Sequence, residues 1–369
     1  MKVGLVIYDS LQTLSGGYIY DRKLVEHLRV NGDRVKLFSI PWRSYSRHLM
    51  DNLRSHWLNS MARARLDVLL QDELNHPSLF VLNRRLRPRV SCPIISIVHH
   101  LRSWEQWPLP VRPLYRAVER RYLASVDGFV FNSQATRQSV EELLGRGAPS
   151  VIAYPGGDRL GPPLEEEEIV ARVRQGGPLR LTFVGNLIPR KGLDGLLGAL
   201  AALRSEAWEL TVAGSLRVDL DYAAKIRRSI AALGLEDKVR LLGSLPDPEL
   251  ARILKRSDVI AMPFSYEGFG IVYLEGMAYG LPALACRSGG AREIVTHREN
   301  GYLFEPGDLV RFAAILCRLI KNQDELLNLS LAARRRFAQF PTWEHTTAKI
   351  RDFMLEITFH ARGVKDNRL

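Results

Sequence analysis

Apolar residues along this chain gather in short runs closed by glycine, proline or polar residues, and the runs alternate with stretches in which apolar positions recur at helical spacing. KVGLVIY at 2–8 predicts a buried strand, and the loop DSLQTLSGG follows it. Leu24, Val25 and Leu28 then mark a helical face that stops at Asn31 and Gly32, before VKLFSI as the next strand. Residues 42–73 carry arginines at 43, 47, 54, 63 and 65 with Trp57, Leu58, Met61 and Leu66 among them, a pattern that predicts an amphipathic helix. SLFVLN at 78–83 reads as a strand, NRRLRPR at 83–89 as a basic loop, and PIISIV at 93–98 as a strand that delivers His99 and His100 at its carboxyl end. The segment RSWEQWPLPVRPLYRAVERRYLASV supplies two tryptophans and a helix bearing Arg112, Arg116, Arg120 and Arg121, followed by the strand GFVFNS and the helix QATRQSVEELLG.

A break comes at VIAYPGGD and RLGPPLEEEE, which combine a last strand, glycine-proline turns and an acidic run that starts a solvated helix. A second series begins at LRLTFVG, with strands again at WELTVAG, VRLLG, DVIAMP and PALAC and helical patterns between them. Two such series predict an α/β protein with two doubly wound parallel sheets rather than one barrel. The expected division is 1–160, 161–341 and a terminal amphipathic helix within 342–369.

Composition sharpens this. At 369 residues and 46% apolar content the chain can fill two cores. Cys92, Cys286 and Cys317 are widely spaced and fit neither a disulfide framework nor a zinc site, so a reducing compartment is expected. The apolar amino terminus is short, reaches Asp9 without a cleavage-site pattern, and reads as a strand; no run is long enough to span a bilayer. The expected protein is cytoplasmic, soluble or peripheral at the inner membrane face. Its charge is lopsided: residues 1–160 hold 23 Lys and Arg against 14 Asp and Glu, a net +9, whereas 161–369 hold 29 against 26, a net +3. No nucleic-acid-binding motif accompanies these arginines, and an anionic membrane surface is the partner that fits them better; a dispersed, inert excess or a soluble anionic acceptor remains open.

The candidate chemistry centres on 264–280, FSYEGFGIVYLEGMAYG. DVIAMP is a strand ended by proline, and Ile271, Leu274 and Ala278 begin a helix whose other faces are also mostly apolar, so the helix should be buried. At about 100° per residue Glu275 falls beside that apolar row, where a carboxylate must find donors. Glu267 precedes the helix, while Gly268 and Gly270 let a ligand approach backbone N–H groups. An ordinary helix-start charge and a satisfied buried polar residue explain the two glutamates equally well one at a time. As a pair beyond a strand's carboxyl end, they stand where open α/β sheets bind ligands. Arg190 and Lys191 in NLIPRKG oppose the dipole of the helix they precede, a conflict that a bound diphosphate removes and that solvent exposure would also relieve. Gly16 and Gly17 form either a phosphate cradle or a simple turn, and His99 ends a buried strand where ligands bind.

The segment E-G-F-G-I-V-Y-L-E, with seven residues between Glu267 and Glu275, resembles the hallmark of the retaining family-4 glycosyltransferases of GT-B architecture. The resemblance covers almost the whole chain and is strongest over 179–308, where SGGAREIV and NGYLF also match family patterns. It implies two Rossmann-like domains facing an interdomain cleft, with the last helix crossing back to the first domain. It also implies a donor nucleotide-diphosphate sugar, with Glu267 on the sugar, Glu275 on the ribose, and Gly185, Asn186, Arg190 and Lys191 near the diphosphate. The turn Gly268, Phe269, Gly270 and Ile271 and the Gly16–Gly17 pair would face the donor, and His99 would lie beside the sugar. The family pattern G-R-L-x-x-x-K-G is matched at Gly185 and Lys191, but Asn186 replaces its arginine and the charge there is absent. No Asp-x-Asp motif is present, so a metal-independent transferase without a cofactor is expected, acting on an acceptor that is lipid-linked or a glycan. A sugar-nucleotide epimerase of the same architecture and a catalytically silent binding protein are the alternatives. A dehydrogenase is disfavoured by the missing G-x-G-x-x-G.

Overall fold

A computed structural model describes residues 1–105, 107, 110–263 and 266–366, the last five of these without their side chains. Phe264 and Ser265, which open the glutamate segment, lie outside the described residues, as do Gln106, Pro108 and Leu109 of the tryptophan-containing segment and 367–369. The chain divides into two compact units, Met1–Pro155 with Trp343–Leu369, and Gly156–Thr342.

The first unit is built on a parallel sheet of β1 (Lys2–Tyr8), β2 (Arg34–Ile40), β3 (Val68–Asp72), β4 (Ile94–Val98), β5 (Gly128–Phe131) and β6 (Ser150–Ile152), in the order β2-β1-β3-β4-β5-β6. Its central strands are apolar at nearly every position because helices cover both faces, leaving no solvated side to impose alternation. Gly16–Val30 is a helix capped by Ser15, whose side chain accepts the Tyr18 N–H. The terminal helix Trp343–Asp366 belongs to this unit. Arg351 Nε donates to Asp33 Oδ2 at 2.7 Å, and the Trp343 ring meets Tyr20 edge-on at 5.7 Å.

Here the sequence reading needs correction. SLFVLN is not a strand: Pro77 sits in the first turn of a helix, His76–Leu79, and a second helix, Leu82–Leu86, follows. NRRLRPR is correspondingly helical rather than a loop, continuing into the turn Arg87–Arg89. The strand between β1 and β4 is VLLQD, which the reading of 42–73 did not pick out; the amphipathic helix expected there is Ser55–Arg63, with Leu58 and Met61 buried, and a second short helix, Tyr45–Asp51, precedes it.

The second unit carries β7 (Leu179–Val184), β8 (Trp208–Ala213), β9 (Val239–Gly243), β10 (Val259–Met262), β11 (Ala283–Cys286) and β12 (Gly301–Phe304), in the order β12-β11-β10-β7-β8-β9. The strand order reverses between β7 and β10, which pair in parallel, so the loops leaving these two strands diverge at the sheet's carboxyl edge. The acidic run opens the helix Glu166–Arg174, with Glu165 and Glu168 forming a capping box.

Candidate active site

The loop after β7 and the loop after β10 carry the residues singled out in the second unit. Gly185 continues β7 by donating its N–H to Ala213 O at 2.8 Å, and Asn186 Oδ1 accepts the Ser215 N–H at 3.2 Å. Asn186 therefore braces the neighbouring loop. The chain then makes one tight turn, Pro189–Lys191, before the helix Leu193–Ala201. From that turn Arg190 Nη1 reaches Tyr266 O at 3.4 Å, and Lys191 Nζ reaches Glu267 Oε2 at 2.7 Å. Both basic residues thus grip the segment that leads into the glutamate turn, across the point where the strand order reverses.

Gly270 adopts φ +97°, a conformation that favours glycine, and starts the helix Ile271–Ala278. Gly268, Phe269 and Ile271 are buried, with the Phe269 ring edge-on to Phe340 at 6.0 Å. The turn is held from behind by Gly289 and Gly290. Gly290 donates its N–H to Glu267 O at 3.0 Å, and a Cβ on Gly290 would stand 2.4 Å from Gly268 O. The glycine pair of SGGAREIV is there because backbone meets backbone.

Glu275 is buried on this helix, and its donor is Arg159, whose Nε lies 2.8 Å from Oε1. Arg159 also pairs with Asp247. Burial raises the Glu275 pKa, opposed by the charge and hydrogen bond of Arg159. An ionised carboxylate offers about four acceptor positions. Arg159 uses one, so Glu275 retains capacity for further donors such as a pair of vicinal hydroxyls.

In the first unit Gly17 and His99 touch. A Cβ on Gly17 would lie 2.9 Å from the His99 ring, which is why the second residue of the helix Gly16–Val30 lacks one. His99 Nε2 meets the buried Asp21 Oδ1 at 3.3 Å, and Tyr20 packs edge-on to the ring at 5.2 Å. Burial disfavours the imidazolium, but the hydrogen bond to Asp21 and the charges of Asp21, Asp72 and Glu73 outweigh it and raise the His99 pKa. His100 turns elsewhere, to Glu105 Oε1 at 2.9 Å.

Two groups of described residues bring donor atoms near enough to hold a cation: Asp21, Asp72 and His99, and Glu73, His76 and Glu119. Burial and the Asp21 charge push Asp72 up to about 7, and burial raises Glu73 and Glu119, which face one another. Glu119 also accepts the Arg102 N–H at 2.7 Å and pairs with the Ser103 hydroxyl. This second group was not singled out in the sequence. The available signal was that Glu119 shares a helix face with the apolar Tyr122 and Leu123.

The fold recurs in solved structures. Sucrose-phosphate synthase of Thermosynechococcus elongatus matches with a TM-score of 0.81 at 19% identity, over 96% of this chain and 98% of that one. Anabaena HepE, crystallised with UDP-glucose, matches with a TM-score of 0.75 at 19% identity, over 96% of this chain and all (100%) of that one. The architecture is that of the GT-B glycosyltransferases.

The family models for Glycosyl transferases group 1 and for Glycosyltransferase Family 4 match residues 165–336 and 18–159, and the chain belongs to the family-4 glycosyltransferases. Among curated relatives, a GDP-mannose-dependent alpha-(1-6)-phosphatidylinositol monomannoside mannosyltransferase of Mycobacterium tuberculosis is 30% identical over 254 residues, 66% of this chain and 65% of that protein. A D-inositol 3-phosphate glycosyltransferase of Thermobispora bispora is 32% identical over 248 residues, 64% of this chain and 58% of that protein. The matched part thus spans less than two thirds of these relatives.

Proposed function

We propose that the protein is a retaining, metal-independent glycosyltransferase that moves a sugar from a nucleoside-diphosphate donor to a polyol or lipid-linked acceptor at the inner face of a membrane. The observation that carries this reading is the Lys191–Glu267 pair spanning the β7 and β10 loops, with the buried Glu275 one short helix away. Lys191 and Arg190 would take the diphosphate and stabilise the charge that develops on it, the work a divalent cation does elsewhere. Glu267 would hold sugar hydroxyls, and Glu275 the ribose. Gly16, Gly17 and His99 are the first unit's candidate contribution to donor phosphate and sugar. In the reaction the bond from the anomeric carbon to the diphosphate oxygen breaks, the acceptor oxygen bonds to the same face of that carbon, and its proton passes to the departing phosphate. The names of the phosphatidylinositol monomannoside and UDP-glucose relatives support the donor and acceptor classes.

No helix among the described residues is long and apolar enough to cross a membrane. Surface docking is supported instead by the helix Arg112–Leu123, whose Arg112, Arg116, Arg120 and Arg121 are exposed together with Leu114. Tyr115 of this helix packs at 4.3 Å against Tyr45 of the helix Tyr45–Asp51, near whose end Met50 and Leu53 are also exposed. Each arginine near an anionic surface contributes about 1 kcal/mol, so several together give reversible attachment.

Incubation with radiolabelled UDP- and GDP-sugars in excess chelator, with and without lipid extract, tests the function. Label should enter an α-configured product in the lipid phase only when extract is present. Release of an altered nucleotide sugar without acceptor identifies an epimerase, and binding without turnover a silent protein. Vesicle sedimentation tests docking: it should rise with anionic lipid, fall with salt, and weaken when Arg116, Arg120 and Arg121 become glutamine.

A further inference from the structure

Within the first unit a cavity of about 240 Å³ opens among residues that follow the carboxyl ends of β1 to β4. Tyr8, Trp42, Arg43, Tyr45, His76 and Arg102 line it. Ligand pockets commonly begin near about 300 Å³, so this one suits a single ring rather than a nucleotide or an oligosaccharide.

Arg102 marks its chemistry. Its backbone N–H is anchored on Glu119, and its guanidinium carbon sits 5.3, 4.7 and 5.3 Å from the rings of Tyr45, Trp107 and Tyr115. Its Nε is buried with no hydrogen-bond partner, and among the described residues no carboxylate lies within ion-pairing distance of it. Arg43, by contrast, is committed to the buried Asp51 at 2.8 Å. Two buried acids of this unit, Glu73 and Glu119, are pushed toward the protonated form, Glu73 chiefly by burial to about 8 and Glu119 by burial and the Glu73 charge to about 7, and leave Arg102 incompletely compensated. An arginine caged by three rings, with its Nε buried and no counter-ion among the described residues, calls for a planar or tetrahedral oxyanion.

Other residues of the lining suit a ring. Trp42 stands half exposed, edge-on to Tyr8 at 5.3 Å, and presents a flat aromatic surface of the kind that stacks on the C–H face of a polyol. Burial lowers the His76 pKa to about 4, so the ring is neutral. Its Nδ1 faces Glu73 O at 3.1 Å, so Nε2 is the acceptor for the Tyr45 hydroxyl at 3.2 Å. Tyr45 Oη then keeps lone pairs for a ligand hydroxyl.

We propose that this cavity seats the glycosyl acceptor, and that the acceptor is a single-ring polyol bearing one phosphate, with the phosphate on Arg102 and the ring on Trp42. This rests on the reading of the protein as a glycosyltransferase. The phosphate belongs either to a free polyol phosphate or to a lipid headgroup.

The test is direct binding to the full-length protein without donor, followed by calorimetry and tryptophan fluorescence. The probes are myo-inositol 1-phosphate, myo-inositol, inorganic phosphate and a short-chain phosphatidylinositol. Saturable binding of the inositol phosphate is expected, with myo-inositol and inorganic phosphate each at least tenfold weaker. The same site taking the lipid more tightly assigns the headgroup, and less tightly the free polyol phosphate. Arg102→Gln should weaken binding at least tenfold and Arg102→Lys less. Because Arg102 also packs among three rings, Trp42→Ala at the cavity mouth is the second variant, expected to weaken the polyol phosphate while leaving inorganic phosphate and the melting temperature unchanged. Both variants should bind UDP or GDP as the wild type does. Inorganic phosphate binding as tightly as the polyol phosphate, or both variants binding it normally, overturns the proposal. Failure of every form to bind a nucleotide sugar overturns the glycosyltransferase reading instead.

Discussion

Lys191 Nζ and Glu267 Oε2 lie 2.7 Å apart, joining two loops that are 76 positions distant in sequence. The cation proposed for the diphosphate and the anion proposed for the sugar are therefore one ion pair when no donor is bound. A diphosphate entering the site competes with Glu267 for Lys191. Lys191→Gln is expected to weaken UDP or GDP by a charge-assisted bond, about 1.5–3 kcal/mol or at least tenfold. Glu267→Gln should leave nucleotide affinity equal or tighter while transfer falls. Calorimetry beside turnover checks this, and equal weakening in both variants would reduce the pair to a structural strut.

Glu275 should act through the ribose. Glu275→Gln keeps the shape but removes the charge, and nucleoside diphosphates should bind about 1.5–3 kcal/mol more weakly. A 2′,3′-dideoxy nucleotide should lose affinity against the wild type and lose little more against the variant. The melting temperature should also fall, because Arg159 is left with the half-exposed Asp247 alone. Unchanged affinity in a folded variant would remove Glu275 from the ribose.

Gly17→Ala should reach the histidine. The new methyl, 2.9 Å from the His99 ring, must push it away from Asp21 at a cost of about 1–3 kcal/mol in stability. With that hydrogen bond stretched, the raised His99 pKa should drop. Proton NMR of the imidazole reports the shift, and an unmoved pKa would show that Asp21 is not what sustains it.

The buried Glu73–Glu119 pair predicts a pH dependence. Both pKa values are raised on folding, chiefly by burial, so the folded state holds protons that the unfolded chain releases. Their contribution is complete below the ordinary value of 4.5 and declines as pH rises toward about 8. The slope is at most about 1.4 kcal/mol per pH unit for each retained proton. Urea unfolding at pH 5 and pH 8 should show the first unit weakening, and Glu73→Gln should flatten the trend. A slope indifferent to that substitution would place the retained protons elsewhere.

Much of the fold was legible because a parallel sheet covered on both faces writes its strands as apolar runs, and turn residues punctuate them. The first unit misled where two short apolar runs competed. VLLQD, crowded behind the arginines of 54–65, is the strand, whereas SLFVLN is helical; runs of that length carry no period that separates the two. Positions of the glutamates and of the Arg190–Lys191 turn were likewise readable. Their partners were not, since Arg159 and Glu275 are 116 positions apart and nothing local links them. Arg102 looked like one more basic residue in a basic half; only its ring cage and buried Nε distinguish it.

The glutamate turn is braced from outside itself. Its backbone leans on Gly290 behind it, its charge is tied to a lysine from another loop, and its first aromatic ring rests on Phe340. A peptide of that sequence, or the same residues transplanted to a foreign strand and helix, would carry the signature without the geometry. The signature's geometry is lent to it by neighbours distant in sequence, so lesions far from any substrate, at Gly290 or under Phe340, should mimic the loss of the glutamates themselves.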